Sequence, residues 1–249
     1  MPATPAWPPH SLPRLFVAQA LSAGESLTLD GGAANYLGNV LRLKAGDAVK
    51  LFDDATGEWL ARVEAVERKR ITLTIADQLR PREEVPDLWL LFAPLKKQTT
   101  DWLVEKATEL GAKRLVPVLT RRTVAERVNL DRLRSIAIEA AEQCDRTALP
   151  EIAEPVKLAA LLKTWPADRT LLFADETGGA PLAEAAKAGP AAILIGPEGG
   201  FTDEERAAIR ALATPVALGP RILRAETAAL AALSLWMGAA GDWGRPPRA

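Results

Sequence analysis

Two rhythms of apolar and polar residues divide the chain. Over residues 14–80 the apolar runs are short and broken by turn residues, which predicts strands at 15–17, 26–29, 49–52, 59–66 and 71–75. Asp53, Asp54, Ala55, Thr56 and Gly57 read as a hairpin turn between two of them. A short helix is expected at 33–41, with Arg42 near its end. So many short strands in so little chain predict a small barrel. After the polar, proline-bearing stretch 80–87 the pattern changes. Residues 88–93 are almost continuously apolar, as in a strand buried on both faces. Further strands are expected at 114–119, 170–174, 191–195 and 215–218, alternating with helices at 99–110, 130–144, 181–187, 203–211 and 226–240. Strands alternating with helices make a parallel α/β sheet. The expected organisation is a small β-barrel over 1–80, a linker over 81–87 and an α/β domain over 88–249.

Ligands of open α/β sheets bind beyond the C-terminal ends of the strands. Three such ends carry turn-forming residues: 175–179, 196–200 and 219–223. Two of them follow an apolar strand with Gly-Pro and run on toward a helix, in the stretches LIGPEGGF (194–201) and LGPRILRAET (218–227). Gly-Pro breaks a strand sharply, and glycine lets a ligand approach the main chain. The pair predicts a pocket built largely from backbone, with apolar walls suited to an adenine. No G-x-G-x-x-G and no G-x-x-x-x-G-K-[ST] is present, so the Rossmann and P-loop readings lose their main support.

Composition narrows the chemistry. The chain of 249 residues is 48% hydrophobic and 25% charged, an ordinary globular balance. Its apolar runs are too short to span a bilayer, and its Pro-rich start lacks the order of a signal peptide, so a cytoplasmic protein is expected. Cys144 is the single cysteine, and His10, in the Pro-rich leader, the single histidine. An internal disulfide is excluded, no metal site is expected, and a histidine-based triad is disfavoured. The net charge is −1, yet residues 88–150 hold 11 basic against 8 acidic side chains, while each flank holds 10 against 12. A nucleic-acid partner would need a local basic face, but from charge alone solvated helix faces are the favoured reading.

The two Gly-Pro stretches resemble the C-terminal motifs of the bacterial 16S rRNA uridine-N3 methyltransferases called RsmE, of the SPOUT or trefoil-knot superfamily. Also similar are KATELG (106–111), Val116-Pro117, Glu142-Gln143-Cys144 with Arg146, and VLRL (40–43) with Gly46-Asp47. The resemblance spans residues 14–241. It implies a C-terminal SPOUT α/β trefoil-knot domain with a parallel sheet, an N-terminal PUA-like β-barrel that helps hold RNA, and a homodimer. It implies S-adenosylmethionine as cofactor and N3 of a uridine, uracil-1498, in 16S rRNA of the small ribosomal subunit as target. No membrane or DNA partner is expected. The alternatives are a knot methyltransferase with another RNA target, such as tRNA, and a non-catalytic RNA-binding or ribosome-assembly factor.

Leu172, Ile195, Gly196, Pro197, Glu198, Gly199, Gly200, Leu218, Gly219, Ile222 and Leu223 are the expected cofactor residues. Gly196, Gly199 and Gly200 are read as space for the ligand. Arg224 is expected to face the uracil or its phosphate, and Glu226 to take the N3 proton or hold Arg224. Arg14, Arg42, Lys97, Arg122 and Arg146 are the candidate RNA contacts, because the arginine fork grips phosphate in two places. The chain departs from the family at three positions. The family often has Glu where Arg121 stands, Gly where Asp145 stands and His near Asn35.

Overall fold

A computed structural model describes residues 12–124 and 127–245. The leader up to residue 11, with His10, and the last four residues lie outside them. The chain forms two compact units, residues 1–84 with 145–148, and residues 85–144 with 149–249.

The first unit is a curled five-stranded sheet. Its strands are β1 (Arg14–Phe16), β2 (Ser26–Asp30), β3 (Ala48–Asp53), β4 (Gly57–Val66) and β5 (Arg70–Pro81). They lie in the order β1-β3-β4-β5-β2, with only β1 and β3 parallel. Alternate residues of β4 and β5 point inward: Trp59, Ala61 and Val63 meet Ile71, Leu73 and Ile75, with Val49, Leu51 and Leu37 closing the core. The expected helix at 33–41 is α1 (Gly31–Asn35) followed by a π-helical turn, Tyr36–Val40. Strand β5 runs through Pro81, so backbone pairing continues one residue into the stretch read as linker.

Charge, unusually, sits inside this unit. Asp53 is buried at the hairpin and accepts from the amide of Leu21 at 2.9 Å, from Ala55 at 2.6 Å and from Thr56. Burial alone would raise its pKa; the bonds from Thr56, Ala55 and Leu21 outweigh that and hold it below the usual carboxylate range. Glu58 is buried between two arginines, taking Arg14 Nε at 2.5 Å and Arg80 Nε at 3.0 Å. Burial pushes Glu58 up, and Arg80 and Arg14 pull it down further. The same two guanidinium groups hold the 145–148 segment, Arg14 donating to the carbonyl of Arg146 at 2.8 Å and Arg80 to that of Asp145 at 2.5 Å.

The second unit is an all-parallel sheet. Its strands are β6 (Leu88–Phe92), β7 (Arg114–Leu119), β8 (Glu151–Ile152), β9 (Val156–Lys157), β10 (Thr170–Ala174), β11 (Ala180–Pro181), β12 (Ala191–Ile195) and β13 (Thr214–Ala217). They run in the order β11-β13-β10-β12-β6-β7-β8, with β9 also on β7. The helices are α2 (Lys97–Glu109), α3 (Leu130–Gln143), α4 (Leu158–Lys163), α5 (Leu182–Ala185), α6 (Asp203–Arg210) and α7 (Ala225–Ala240). Both faces of the sheet are covered. Ala191, Ile193 and Ile195 of β12 face the cluster with α2, α3 and α7; Ala192 and Leu194 face the cluster with α4 and α6. The short β8, β9, β11 and α4 carry too few residues to show a period and were not expected from sequence. No helix among the described residues is long and apolar enough to cross a membrane.

Removing the Glu58 carboxylate takes the main partner from the buried Arg14 side chain and from the half-buried Arg80. Glu58→Ala is expected to destabilise the protein by about 3–5 kcal/mol, the usual cost of orphaning a buried charge. Thermal unfolding of the variant checks this; a melting temperature within a degree of the wild type would refute it.

Candidate active site

Strands β13, β10 and β12 are neighbours and parallel, so the loops at their C-terminal ends open on one edge. Together they enclose a cavity of about 400 Å³. Ile195, Leu218 and Leu223 provide apolar wall, Gly196, Pro197, Glu198, Gly200 and Gly219–Leu223 also line it, and the exposed Arg224 borders it. Among the described residues, Gly219–Leu223 makes no backbone turn or cap hydrogen bond, so its peptide groups remain available to a ligand. Gly219 has φ +112, a conformation glycine adopts without strain.

The sequence did not single out Asp175 and Arg206, which also line this cavity. Asp175 has a fully buried side chain that takes Arg206, Arg210 Nε at 2.8 Å, and the amide and hydroxyl of Thr177 at 3.0 and 2.9 Å. Arg206 continues to Glu176 at 2.9 Å. This network ties the 175–177 loop to α6, whose start is fixed by a capping box between Thr202 and Glu205. Burial would raise Asp175; the bonds from Thr177 and Arg210 and the charge of Arg206 prevail and keep it low. The signal in sequence is faint: two arginines one helical turn apart, at 206 and 210.

Gly196 and Gly200 line the cavity, as expected, and each also answers a demand of its own loop. A Cβ at Gly196 would lie 2.5 Å from the Phe201 ring, which packs edge-on against Phe173 at 5.3 Å. Gly196 is thus required by its own loop's aromatic packing. Gly200 has φ +68 and closes a turn onto the carbonyl of Pro197 at 2.9 Å. Gly199 lies off this cavity and against Arg122, whose Nη1 donates to its carbonyl at 2.7 Å.

Several other assignments are corrected by placement. Leu172 is 1% exposed and points into the helix-facing core; Phe173 and Ala174, nearer the strand end, take the lining positions. Arg14 and Arg146 are buried in the barrel unit, Arg14 held by Glu58 and lying 3.7 Å from the Phe52 ring centroid, so neither presents a guanidinium to RNA. Arg224 is the extended residue just before α7, whereas Glu226 lies in the first turn of the helix. It does not line the cavity, and among the described residues it neither bonds Arg224 nor caps the helix. Arg42 is exposed on the barrel unit at φ +57, just past the π turn.

Lys97 and Arg122 line a second cavity, of about 800 Å³, on the same unit. Glu198 borders both cavities and Gly199 the second, so the LIGPEGGF loop is a shared wall.

An RNA methyltransferase domain model matches residues 82–237, and an RNA methyltransferase PUA domain model matches residues 29–76. A Synechocystis protein called ribosomal RNA small subunit methyltransferase E is 33% identical over 231 residues, covering 89% of this chain and 76% of that one. The chain belongs to the ribosomal RNA small subunit methyltransferase E family. A second member, from Rickettsia conorii, is 29% identical over 89% of this chain and 93% of its own. The crystal structure of the Neisseria gonorrhoeae member bound to S-adenosyl methionine is 29% identical, with a TM-score of 0.86 over 93% of this chain and 99% of that chain. The two units thus follow the PUA and methyltransferase parts of the methyltransferase E family, and the chain is an RNA methyltransferase.

The three departures from the family have local accounts. Asp145 stands at φ +58, a left-handed conformation that glycine takes freely and aspartate tolerates better than most residues. Arg121 pairs with Glu204 at 2.8 Å on the surface, while its amide donates to Glu205. Asn35 accepts from Asn39 at 2.9 Å along the helix.

Two outcomes follow. Gly196→Ala should displace the Phe201 ring and lower the melting temperature by several degrees, and Phe201→Leu in the same chain should recover part of the loss; a strictly additive pair, measured as a double-mutant cycle, would refute the contact. Asp175 is a depressed carboxylate, so its stabilisation is present above the unfolded pKa, about 4, and is lost as pH falls through its lower folded value. Asp175→Asn should therefore melt below the wild type at pH 7, with the gap closing toward pH 2–3, roughly the window below the unfolded pKa. A gap independent of pH would refute it.

Proposed function

We propose that the protein transfers the methyl group of S-adenosylmethionine to N3 of a uridine in 16S rRNA, the family's uracil-1498, within the small ribosomal subunit. The observation that carries this is the backbone-built cavity at the ends of β13, β10 and β12, together with membership of the methyltransferase E family. The residues present fit the cofactor. The cavity volume is in the range of small-molecule sites, part of its wall is apolar at Ile195, Leu218 and Leu223, and the main-chain groups of Gly219–Leu223 are available to hold an adenine and a ribose. Bound there, S-adenosylmethionine supplies an activated methyl group on a sulfonium. The reading includes the homodimer and trefoil knot implied by the family and a cytoplasmic location.

The chain's own residues have two tasks. One is to bring the uracil N3 into line with the methyl carbon and exclude water. The other is to manage the N3 proton and the charge left behind. Arg224, exposed at the cavity rim and without an ion-pair partner among the described residues, is free to stabilise the uridine anion. Glu198, at the boundary of the two cavities and likewise unpaired, is better placed than Glu226 to accept the proton.

Arg224→Ala should lower kcat at least about 100-fold while the calorimetric Kd for S-adenosylmethionine changes less than about threefold. Glu198→Gln should lower kcat on a similar scale, with partial recovery as pH rises and the uridine ionises unaided; Glu226→Gln should stay near wild type. Near-normal turnover in Arg224→Ala would remove that residue from the reaction. If small subunits from a deletion strain keep N3-methyluridine, the target assignment fails.

A further inference from the structure

The larger cavity is lined by five cations, Lys96, Lys97, Arg122, Arg127 and Arg132, against two acids among its described residues, Asp101 and Glu198. Two of the five are committed to the fold. Arg132 is held by Asp101 through Nε and Nη2 at 2.9 and 2.7 Å, and Arg122 donates to the carbonyl of Gly199. Lys96, Lys97 and Arg127 are exposed, and their side chains have no hydrogen bond or ion pair among the described residues. With Asp101 occupied by Arg132, Glu198 is the one acid among the described lining residues left to offset them. Among the described lining residues, three unpaired cations thus face one unpaired acid, an excess of positive charge around one concavity. The start of α2 adds to the imbalance, since Lys96 stands at its N-cap with no side-chain acceptor and its first turn carries no acid. The cavity shares Glu198 with the smaller one. An anion held here therefore belongs to a molecule that reaches the methyl-transfer cavity.

We propose that this cavity is a phosphate-binding site for the RNA strand that carries the target nucleotide, with Lys96 and Arg127 as its principal phosphate ligands alongside Lys97. The proposal rests on the RNA methyltransferase reading and extends it, because neither Lys96 nor Arg127 stood out in the sequence. Phosphate contacts fix register and orientation while carrying no base information. Lys96 and Arg127 thus position the strand so that one uridine enters beside Arg224, and base selection is left to the smaller cavity. Arg122 links the two: its one bond to Gly199 leaves the other guanidinium donors free to take a phosphate without releasing the loop.

The test uses the full chain and two RNA probes, small ribosomal subunits lacking the methyl group and a ten-nucleotide oligouridylate. Binding is measured across a potassium chloride series for the wild type, for Lys96→Gln with Arg127→Gln, and for a control, Lys163→Gln with Lys187→Gln, which removes two exposed cations that line neither cavity. The expected result is a Kd about tenfold weaker at low salt for the first pair and a log–log salt slope shallower by about 1.4, two contacts at about 0.7 each on single-stranded RNA. The control should leave both unchanged. The calorimetric Kd for S-adenosylmethionine and the melting temperature should match wild type in both pairs. An unchanged slope in the first pair, an equal fall in the control, or a wild type that binds neither RNA would overturn the proposal. A change in oligomeric state by light scattering with no change in slope would overturn it too, by making the cavity a protein interface. Methylation by the wild type with an unchanged slope in the first pair would sink this site alone. Absent methylation with slope loss on oligouridylate would sink the target assignment and leave the phosphate site standing.

Discussion

Parallel pairing of β13, β10 and β12 is the constraint on which the rest depends. Parallel strands deliver all their C-terminal ends to one edge, so three loops far apart in sequence open on a common space. A parallel sheet must also be covered on both faces, which the clusters around α2, α3 and α7 on one side and α4 and α6 on the other accomplish. The loops can then depart from regular structure because the strands beneath them are immobilised by packing. Asp175 extends this rigidity one step beyond the sheet. It anchors the first loop to α6 through Arg206 and Arg210 and leaves the third loop, Gly219–Leu223, with its peptide groups unspent.

Charge is divided between structure and function in a way composition conceals. Arg14, Arg80, Arg132, Arg206 and Arg210 each have a carboxylate partner, and the carboxylates of Glu58 and Asp175 are held ionised within the protein by those arginines. Lys96, Lys97, Arg127 and Arg224 have none among the described residues. The first group costs desolvation and returns specificity of local structure. The second group is what remains to meet an anionic ligand. The small excess of positive charge over residues 88–150 therefore understates the field at the larger cavity, where, of the described lining acids, Asp101 is already paired and only Glu198 is not.

Much of the fold was legible. Strands such as Leu88–Phe92 and Ala191–Ile195 announce burial on both faces by unbroken apolar runs, and α6 announces its start through the Thr202–Glu205 capping box. The two Gly-Pro loops marked the smaller cavity because their turn chemistry is local. Arg14 and Arg146 were misread because a lone arginine in sequence gives no sign of whether a distant carboxylate has claimed it; Glu58 is 44 residues from Arg14. Leu172 was misplaced because one residue along a strand separates a core side chain from a lining one. Gly196 was read as ligand space because the demand on it, the Phe201 ring, is a matter of packing five residues away.

What the sequence by itself determined is everything encoded by neighbours along the chain: the change of rhythm near residue 85, the buried strands, the loop chemistry and the motifs of the family. What only the tertiary structure decided is which charges are spent. Ion pairing and burial depend on residues dozens of positions apart. Arg122 and Gly199 are 77 positions apart, and Arg206 and Asp175 are 31 apart. The physical reason is that propensity and periodicity act over a few residues, whereas the energy of a charge is set by every group that surrounds it in space.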